Sequence, residues 1–316
     1  MTHRLHIQAR ADEGARRRAM RRLEGRVAVV AGGSRGAGRG IAVALGEAGA
    51  TVYVLGRTTR AGPAPGDGAP GTIEETAAEV SARGGTGVAV RADCTVVEEV
   101  AAAFERVAAE RGRLDVLANA VWGAADAMKT LEDFTAAWSR SYWEQPVESW
   151  RGMMTAGPYA YWLTGWHATR LMKSTGGGLI VGVTDGVFAV DGEPASDAAG
   201  SGGQLLWDLA HGCINRLQQG MAAEAAAHGI AVVTLMPGFM RTERVLMHVK
   251  TEEQAKMFRL DRSETPEYLG RAVAALAADP EVMAKSGRIH FVADLAQEYG
   301  FTDVDGRRVP RFNPFG

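Results

Sequence analysis

From residue 26 onward, short apolar runs alternate with longer stretches whose apolar positions recur at helical spacing. The runs at 27–31, 51–55, 87–91, 114–118, 179–183, 230–235 and 288–292 read as strands buried on both faces. The periodic stretches at 37–48, 72–83, 96–111, 147–173, 204–228 and 266–278 read as helices. Strand and helix in turn predict an α/β fold: a single doubly wound domain of Rossmann type, with a seven-stranded, mainly parallel sheet and helices on both faces. Gly157-Pro158 interrupts the fourth helical stretch, and proline there predicts a kink.

Three connections are longer than the few residues usual in compact domains, and such loops tend to be functional. They span 57–71, 121–146 and 184–203, and each follows the carboxyl end of an expected strand, where ligands bind in open α/β sheets. The second carries Trp122, Phe134, Trp138, Tyr142 and Trp143. Residues 236–263 also follow a strand and are placed to act as a lid.

The first strand runs straight into a glycine cluster and then a helix, reading VAVVAGGSRGAGRG from Val27 to Gly40. Strand, glycine turn and helix form the opening unit of a dinucleotide-binding sheet. Gly32 allows a sharp turn off the strand. Gly36 and Gly38 clear side chains from the helix start, where backbone N–H groups hold a pyrophosphate. A bare turn is the alternative, but the strand-helix context favours the nucleotide.

Composition narrows the partners. The 316 residues are 46% apolar and 23% charged, with a formal net charge of −2, which gives no case for nucleic acid. Cys94 and Cys213 are the two cysteines; they make no disulfide framework or close-spaced metal site and fit a reducing cytoplasm. No apolar run approaches the ~20 residues of a membrane span. Residues 1–24 carry seven arginines against Asp12, Glu13 and Glu24. They read as a solvated basic tail, or as an upstream start on a protein that natively begins at Met20, ahead of a domain at 25–316.

AGGSRGAG at 31–38, ANA at 118–120 and PGFMRT at 237–242 resemble the signature segments of the short-chain dehydrogenases/reductases. TIEET at 72–76, VTDG at 183–186, SETPEYLGRAVAALAADP at 263–280 and GFTDVDG at 300–306 resemble the branch of dehydrogenase/reductase SDR family member 1. The resemblance implies an NAD(P)(H)-dependent enzyme acting on a small molecule, and a homo-oligomer joined through the helix at 147–173. In this fold an acidic residue ending the second strand binds a ribose 2′-hydroxyl, whereas an Arg accommodates a 2′-phosphate. Here Arg57 and Thr58 hold that place, with Ser34 and Arg35 in the glycine loop nearby, so NADP(H) is favoured over NAD(H). By resemblance, Asp93 and Cys94 meet the adenine, Asn119 matches the first Asn of the Asn-Asn-Ala segment, and Thr242 lies near the nicotinamide carboxamide.

At the catalytic place the resemblance breaks. The family's proton-donating Tyr and the Lys four residues later fall on Trp207 and His211. No Tyr occurs between Tyr161 and Tyr268, and no Lys between Lys173 and Lys250. The Ser position falls on Asp185, beside Thr184, and the assisting Asn falls near Gly157. An indole N–H donates a hydrogen bond but gives up no proton near neutrality, so Trp207 orients or stacks rather than acting as an acid. His211 titrates near neutral pH, and an Asp185–His211 couple is one candidate acid. A substrate that carries its own phenolic proton is another, and a purely structural His211 is the third. The aromatic loop with Tyr159 and Tyr161 suits a bulky aromatic or polyketide-like substrate, although such residues also build cores. Carbonyl reduction is the expected reaction. A non-redox cyclase, dehydratase or isomerase in a retained pocket, or a cofactor-binding pseudoenzyme, are the alternatives.

Overall fold

A computed structural model describes residues 22–63, 68–123, 140–185 and 205–311. Its seven strands are β1 (Val27–Ala31), β2 (Thr51–Gly56), β3 (Thr86–Arg91), β4 (Val116–Asn119), β5 (Gly178–Val183), β6 (Ile230–Met236) and β7 (Ile289–Phe291). They form one sheet in the order β3-β2-β1-β4-β5-β6-β7, and every pairing is parallel. The order reverses direction between β1 and β4, which opens a crevice at their carboxyl ends.

Helices α1 (Gly36–Glu47), α2 (Ile73–Ala82), α3 (Val97–Arg111), α4 (Val147–Met154), α5 (Ala160–Thr175) and α6 (Leu205–Ala225) precede the segment at 236–263, the expected lid. That segment holds two short helices, α7 (Glu243–His248) and α8 (Glu252–Met257), and α9 (Pro266–Ala278) and α10 (Val292–Tyr299) close the described chain. Alternation along β1 divides the core in two. Ala28 and Val30 join Ile41, Leu45, Leu269 and Val273 on one face, whereas Val27, Val29 and Ala31 join Phe104, Leu163 and Met172 on the other. Leu23 is buried with the first group, and its N–H donates to the Ala48 carbonyl, so the packed chain begins ahead of β1.

Two glycines set the approach of α1 to α9. A Cβ on Gly40 would lie 2.2 Å from the Pro266 carbonyl, and one on Gly270 would lie 2.3 Å from the Gly40 carbonyl oxygen. The backbones therefore touch where any larger residue would hold them apart. At the amino edge, Asp115 accepts from Val27 N–H at 2.8 Å, from Arg26 at 2.8 Å and from Arg113 at 2.9 Å. Burial alone would raise its pKa; the guanidiniums and the amide outweigh that and hold it below the usual carboxylate value.

The expected helix at 147–173 is divided. A π turn at Thr155–Tyr159 separates α4 from α5, and Ala156 and Gly157 leave helical geometry just before Pro158. The expected strand at 288–292 is shorter, because Val292 already belongs to α10, a helix not among those the apolar pattern predicts. Val292, Leu295 and Ala296 are its buried positions, a one-sided stripe that anchors it under the sheet.

Candidate active site

The glycine loop leaves β1 at Gly32, whose φ of +80 belongs to the left-handed region. A Cβ there would sit 2.7 Å from the Ala120 carbonyl oxygen, and one on Gly38 would sit 2.1 Å from the Gly32 carbonyl oxygen. The loop is thus folded onto the ends of β1 and β4, and α1 starts at its rim. Gly36 opens that helix with a φ of +52, and its N–H donates to Glu243 Oε2 at 2.8 Å.

Around the end of β2, Arg35 Nη2 donates to Thr58 Oγ1 at 3.0 Å and lies 3.5 Å from the Gly71 carbonyl oxygen. Arg57 Nη1 stands 3.9 Å from Asp93 Oδ2. Ser34 belongs to the same corner, with its carbonyl accepting from Thr76 Oγ1. Of the expected contacts, Arg35 and Thr58 thus meet at the end of β2, and the Arg57 guanidinium next to them in the chain faces Asp93. Asp93 does local work as well, since its Oδ1 accepts from both the N–H and the hydroxyl of Thr95. Cys94 is buried, and burial, reinforced by Asp93, pushes its thiol up to about 12, which makes it inert as a nucleophile.

Asn119 ends β4 fully buried, and its Oδ1 accepts from Thr164 Oγ1 at 2.7 Å, while Nδ2 has no hydrogen-bond partner among the described residues. Thr242 caps α7 by accepting from Val245 N–H, and its methyl lies 3.5 Å from the point where a Gly36 Cβ would be. The lid therefore begins directly over the glycine loop. Its base is closed by the bridge between Met240 and Glu264.

Trp207 and His211, the residues at the expected catalytic place, share one face of α6. His211 Nδ1 donates to the Trp207 carbonyl at 3.1 Å and lies 3.5 Å from Asp185 Oδ1. Burial pushes the His211 imidazole down to about 4, with the hydrogen bond to Trp207 opposing the shift. Thr184 is buried, and its N–H donates to the Leu235 carbonyl. The Trp122 ring completes the group: its centroid is 4.3 Å from His211 and 4.9 Å from Trp207. The two indoles pack with Met153, Met154, Leu206 and Ala210 into a small apolar cluster of their own, and the His211 ring lies against both indoles. Trp122 also lies against Gly157, where a Cβ would meet its ring at 3.2 Å.

The other aromatics of the expected substrate wall divide. Phe134 and Trp138 lie outside the described residues. Tyr142 and Trp143 are exposed and touch edge to face at 5.0 Å. Tyr161 is buried, with its hydroxyl donating to the Val183 carbonyl and its pKa raised by burial. One residue at the site escaped the sequence reading: Glu243 directly follows the PGFMRT string, but nothing in its neighbours says that it folds back onto Gly36. Trp122 was expected as one aromatic of the substrate wall, and its place against His211 and Trp207 was not.

Residues 26–254 match the short chain dehydrogenase family. Dehydrogenase/reductase SDR family member 1 of Mus musculus is 33% identical over 306 residues, covering 93% of this chain and 88% of that protein. The Homo sapiens protein of the same name is 33% identical, with 91% and 86% covered. Among solved structures, a putative dehydrogenase from Xanthomonas campestris superposes with a TM-score of 0.73 at 23% identity, covering 93% of this chain and 98% of that one. The chain belongs to the short-chain dehydrogenase/reductase family, a family of oxidoreductases that use NAD(P)(H) and act on small molecules.

The residues present fit such a dinucleotide on two counts. The glycine loop turns backbone against backbone at Gly32 and Gly38, where a Cβ would collide with the Ala120 and Gly32 carbonyls, so α1 starts at the crevice rim with its Gly36 N–H donating to the Glu243 carboxylate; and the buried Asn119 Nδ2 has no hydrogen-bond partner among the described residues. Among the described residues no helix is long and apolar enough to cross a membrane, and no cluster of His, Cys, Asp and Glu is arranged to hold a metal ion.

Proposed function

We propose that this protein is an NADPH-dependent carbonyl reductase of bulky aromatic or polyketide-like ketones, working without a Tyr–Lys pair. The corner formed by Arg35, Arg57 and Thr58 carries the cofactor preference, since two guanidiniums beside a hydroxyl suit a 2′-phosphate better than a 2′-hydroxyl. Gly32, Gly36 and Gly38 take the pyrophosphate, Asp93 and Cys94 border the adenine, and Asn119 and Thr242 flank the nicotinamide end. Bound there, NADPH supplies a hydride to the substrate carbonyl.

His211 enters this reaction neutral. With its pKa near 4 it holds no second proton to give at neutral pH, and its Nδ1–H is already committed to the Trp207 carbonyl. It therefore orients rather than protonates: the remaining ring nitrogen accepts a hydrogen bond from a substrate hydroxyl. Asp185, 3.5 Å from the same ring, helps to hold its orientation. The proton that completes the alcohol comes from the substrate's own phenol, which is why a hydroxylated aromatic ketone fits better than a simple aliphatic one. Trp122 and Trp207 supply the flat surfaces against which such a ring stacks.

A second reading rests on the same cluster. Trp122, Trp207 and His211 pack against one another with Met153 and Ala210, as a small core would. A protein that binds NADP(H) as a sensor, or as partner to an active homologue, would tolerate such filling. Pairing with a second copy is part of both readings. Trp162 and Trp166 on α5, and Leu205 and Leu209 on α6, present exposed apolar surface for it, and sedimentation of the native protein measures the state directly.

One assay separates the readings: the protein, NADPH and a panel of hydroxylated polycyclic ketones, with cofactor absorbance and product mass both followed. The reductase consumes NADPH and adds two hydrogens, and its rate shows no histidine-like inflection between pH 5 and 8. Turnover without NADPH loss identifies a cyclase, dehydratase or isomerase. Saturable NADPH binding without turnover of any ketone identifies the binding protein.

A further inference from the structure

Glu243 occupies a position that the proposed reaction does not use. α1 is a 12-residue helix whose N-cap residue, Arg35, makes no side-chain capping bond, and its first turn holds no acidic residue. The anion at this helix start comes instead from across the crevice, 207 residues away in sequence: Glu243 Oε2 accepts the Gly36 N–H at 2.8 Å, and Oε1 lies 4.0 Å from Arg39 Nε. Thr242 lies beside it over the loop. The carboxylate therefore sits in the glycine cradle, at the point where backbone N–H groups and the helix dipole favour a phosphate.

We infer that Glu243 is a built-in competitor of the cofactor: it caps α1 while the cradle holds no phosphate and is displaced when the pyrophosphate arrives. The inference rests on the cofactor reading above. One N–H cannot serve a carboxylate and a phosphate together, and two anions at this distance repel. Because Glu243 is tethered at the mouth of the lid, its local concentration is high, and the apparent cofactor affinity falls by the fraction of molecules in which it is seated. Pyrophosphate carries more charge and more acceptor oxygens, so it prevails, but only by moving the first turn of α7. Cofactor entry and lid position are in this way a single equilibrium.

Calorimetric titration of Glu243→Gln and Glu243→Ala with NADPH, and separately with adenosine 2′-monophosphate, tests this. The second ligand reaches the Arg35–Arg57 corner and has no pyrophosphate. Competition predicts NADPH binding about three- to tenfold tighter in both variants, at unchanged affinity for adenosine 2′-monophosphate. The glutamine variant keeps the shape of the side chain, and its melting transition confirms folding. NADPH affinity equal to or weaker than that of the unsubstituted protein in both variants overturns the inference and leaves the cofactor reading standing. An unsubstituted protein that binds neither ligand removes the cofactor reading itself.

Discussion

Glu264 is a carboxyl group kept from water at the base of the lid. It is buried, its Oε2 accepts the Gly238 N–H at 2.9 Å, and Oε1 has no hydrogen-bond partner among the described residues. Burial pushes its pKa up to about 8; the Gly238 hydrogen bond opposes the shift, Asp303 adds to it, and Arg241 works against it. In the unfolded chain a Glu titrates near ~4.3. Between there and about 8 the unfolded chain releases a proton that the folded one keeps, so this group's contribution is complete at low pH and is lost as pH rises through that window. Glu264→Gln, which does not titrate, is therefore expected to melt at a progressively higher temperature than the unsubstituted protein as pH goes from 5 to 8. A difference in melting temperature that stays constant over that range would show that Glu264 is not held protonated. His211 illustrates the opposite displacement, an imidazole driven neutral by burial, and the motif alone could not reveal it. The resemblance placed His211 beside Asp185, but the ring is covered by Trp122, which arrives from another element, and by Trp207.

At the scale of elements, the sheet was largely legible, because strands buried on both faces leave uninterrupted apolar runs. All seven expected strands are present, with ends moved by at most two residues at any point. What shifted did so for local reasons. Val292 starts a helix because its next apolar partners are Leu295 and Ala296, not alternate residues. The lid helices α7 and α8 are short and begin at Thr242 and Thr251, whose hydroxyls accept from Val245 and Gln254. Capping, more than periodicity, marks them. The crossing of α1 with α9 was not legible at all, since Gly40 and Gly270 are 230 residues apart and each alone looks like a helix weakness. Gly40→Ala is expected to destabilise the fold by about 1–3 kcal/mol, because its methyl would press on the Pro266 backbone. Chemical denaturation of the variant measures this. Stability equal to the unsubstituted protein would mean that the two helices part without cost.

Over the whole molecule, the parallel sheet brings every carboxyl strand end to one edge, and β1, β2, β4, β5 and β6 each send a site segment there. The glycine turn off β1 and the arginines at the end of β2 were legible from sequence, because they belong to local backbone geometry and to residues next to strand ends. The group at Trp207 and His211, where the resemblance was expected to break, is built by packing between Trp122, Trp207 and His211, which the order of residues along the chain does not reveal. The proposed cofactor preference depends most on a 2′-phosphate being held by Arg35 and Arg57 at the end of β2. The direct test is calorimetric titration of the protein with NADPH and NADH side by side, repeated with Arg57→Asp. Saturable binding is expected, with NADPH preferred by about tenfold or more and that preference lost or reversed in the variant. Absence of saturable binding by either nucleotide, or a preference for NADH in the unsubstituted protein, would contradict it.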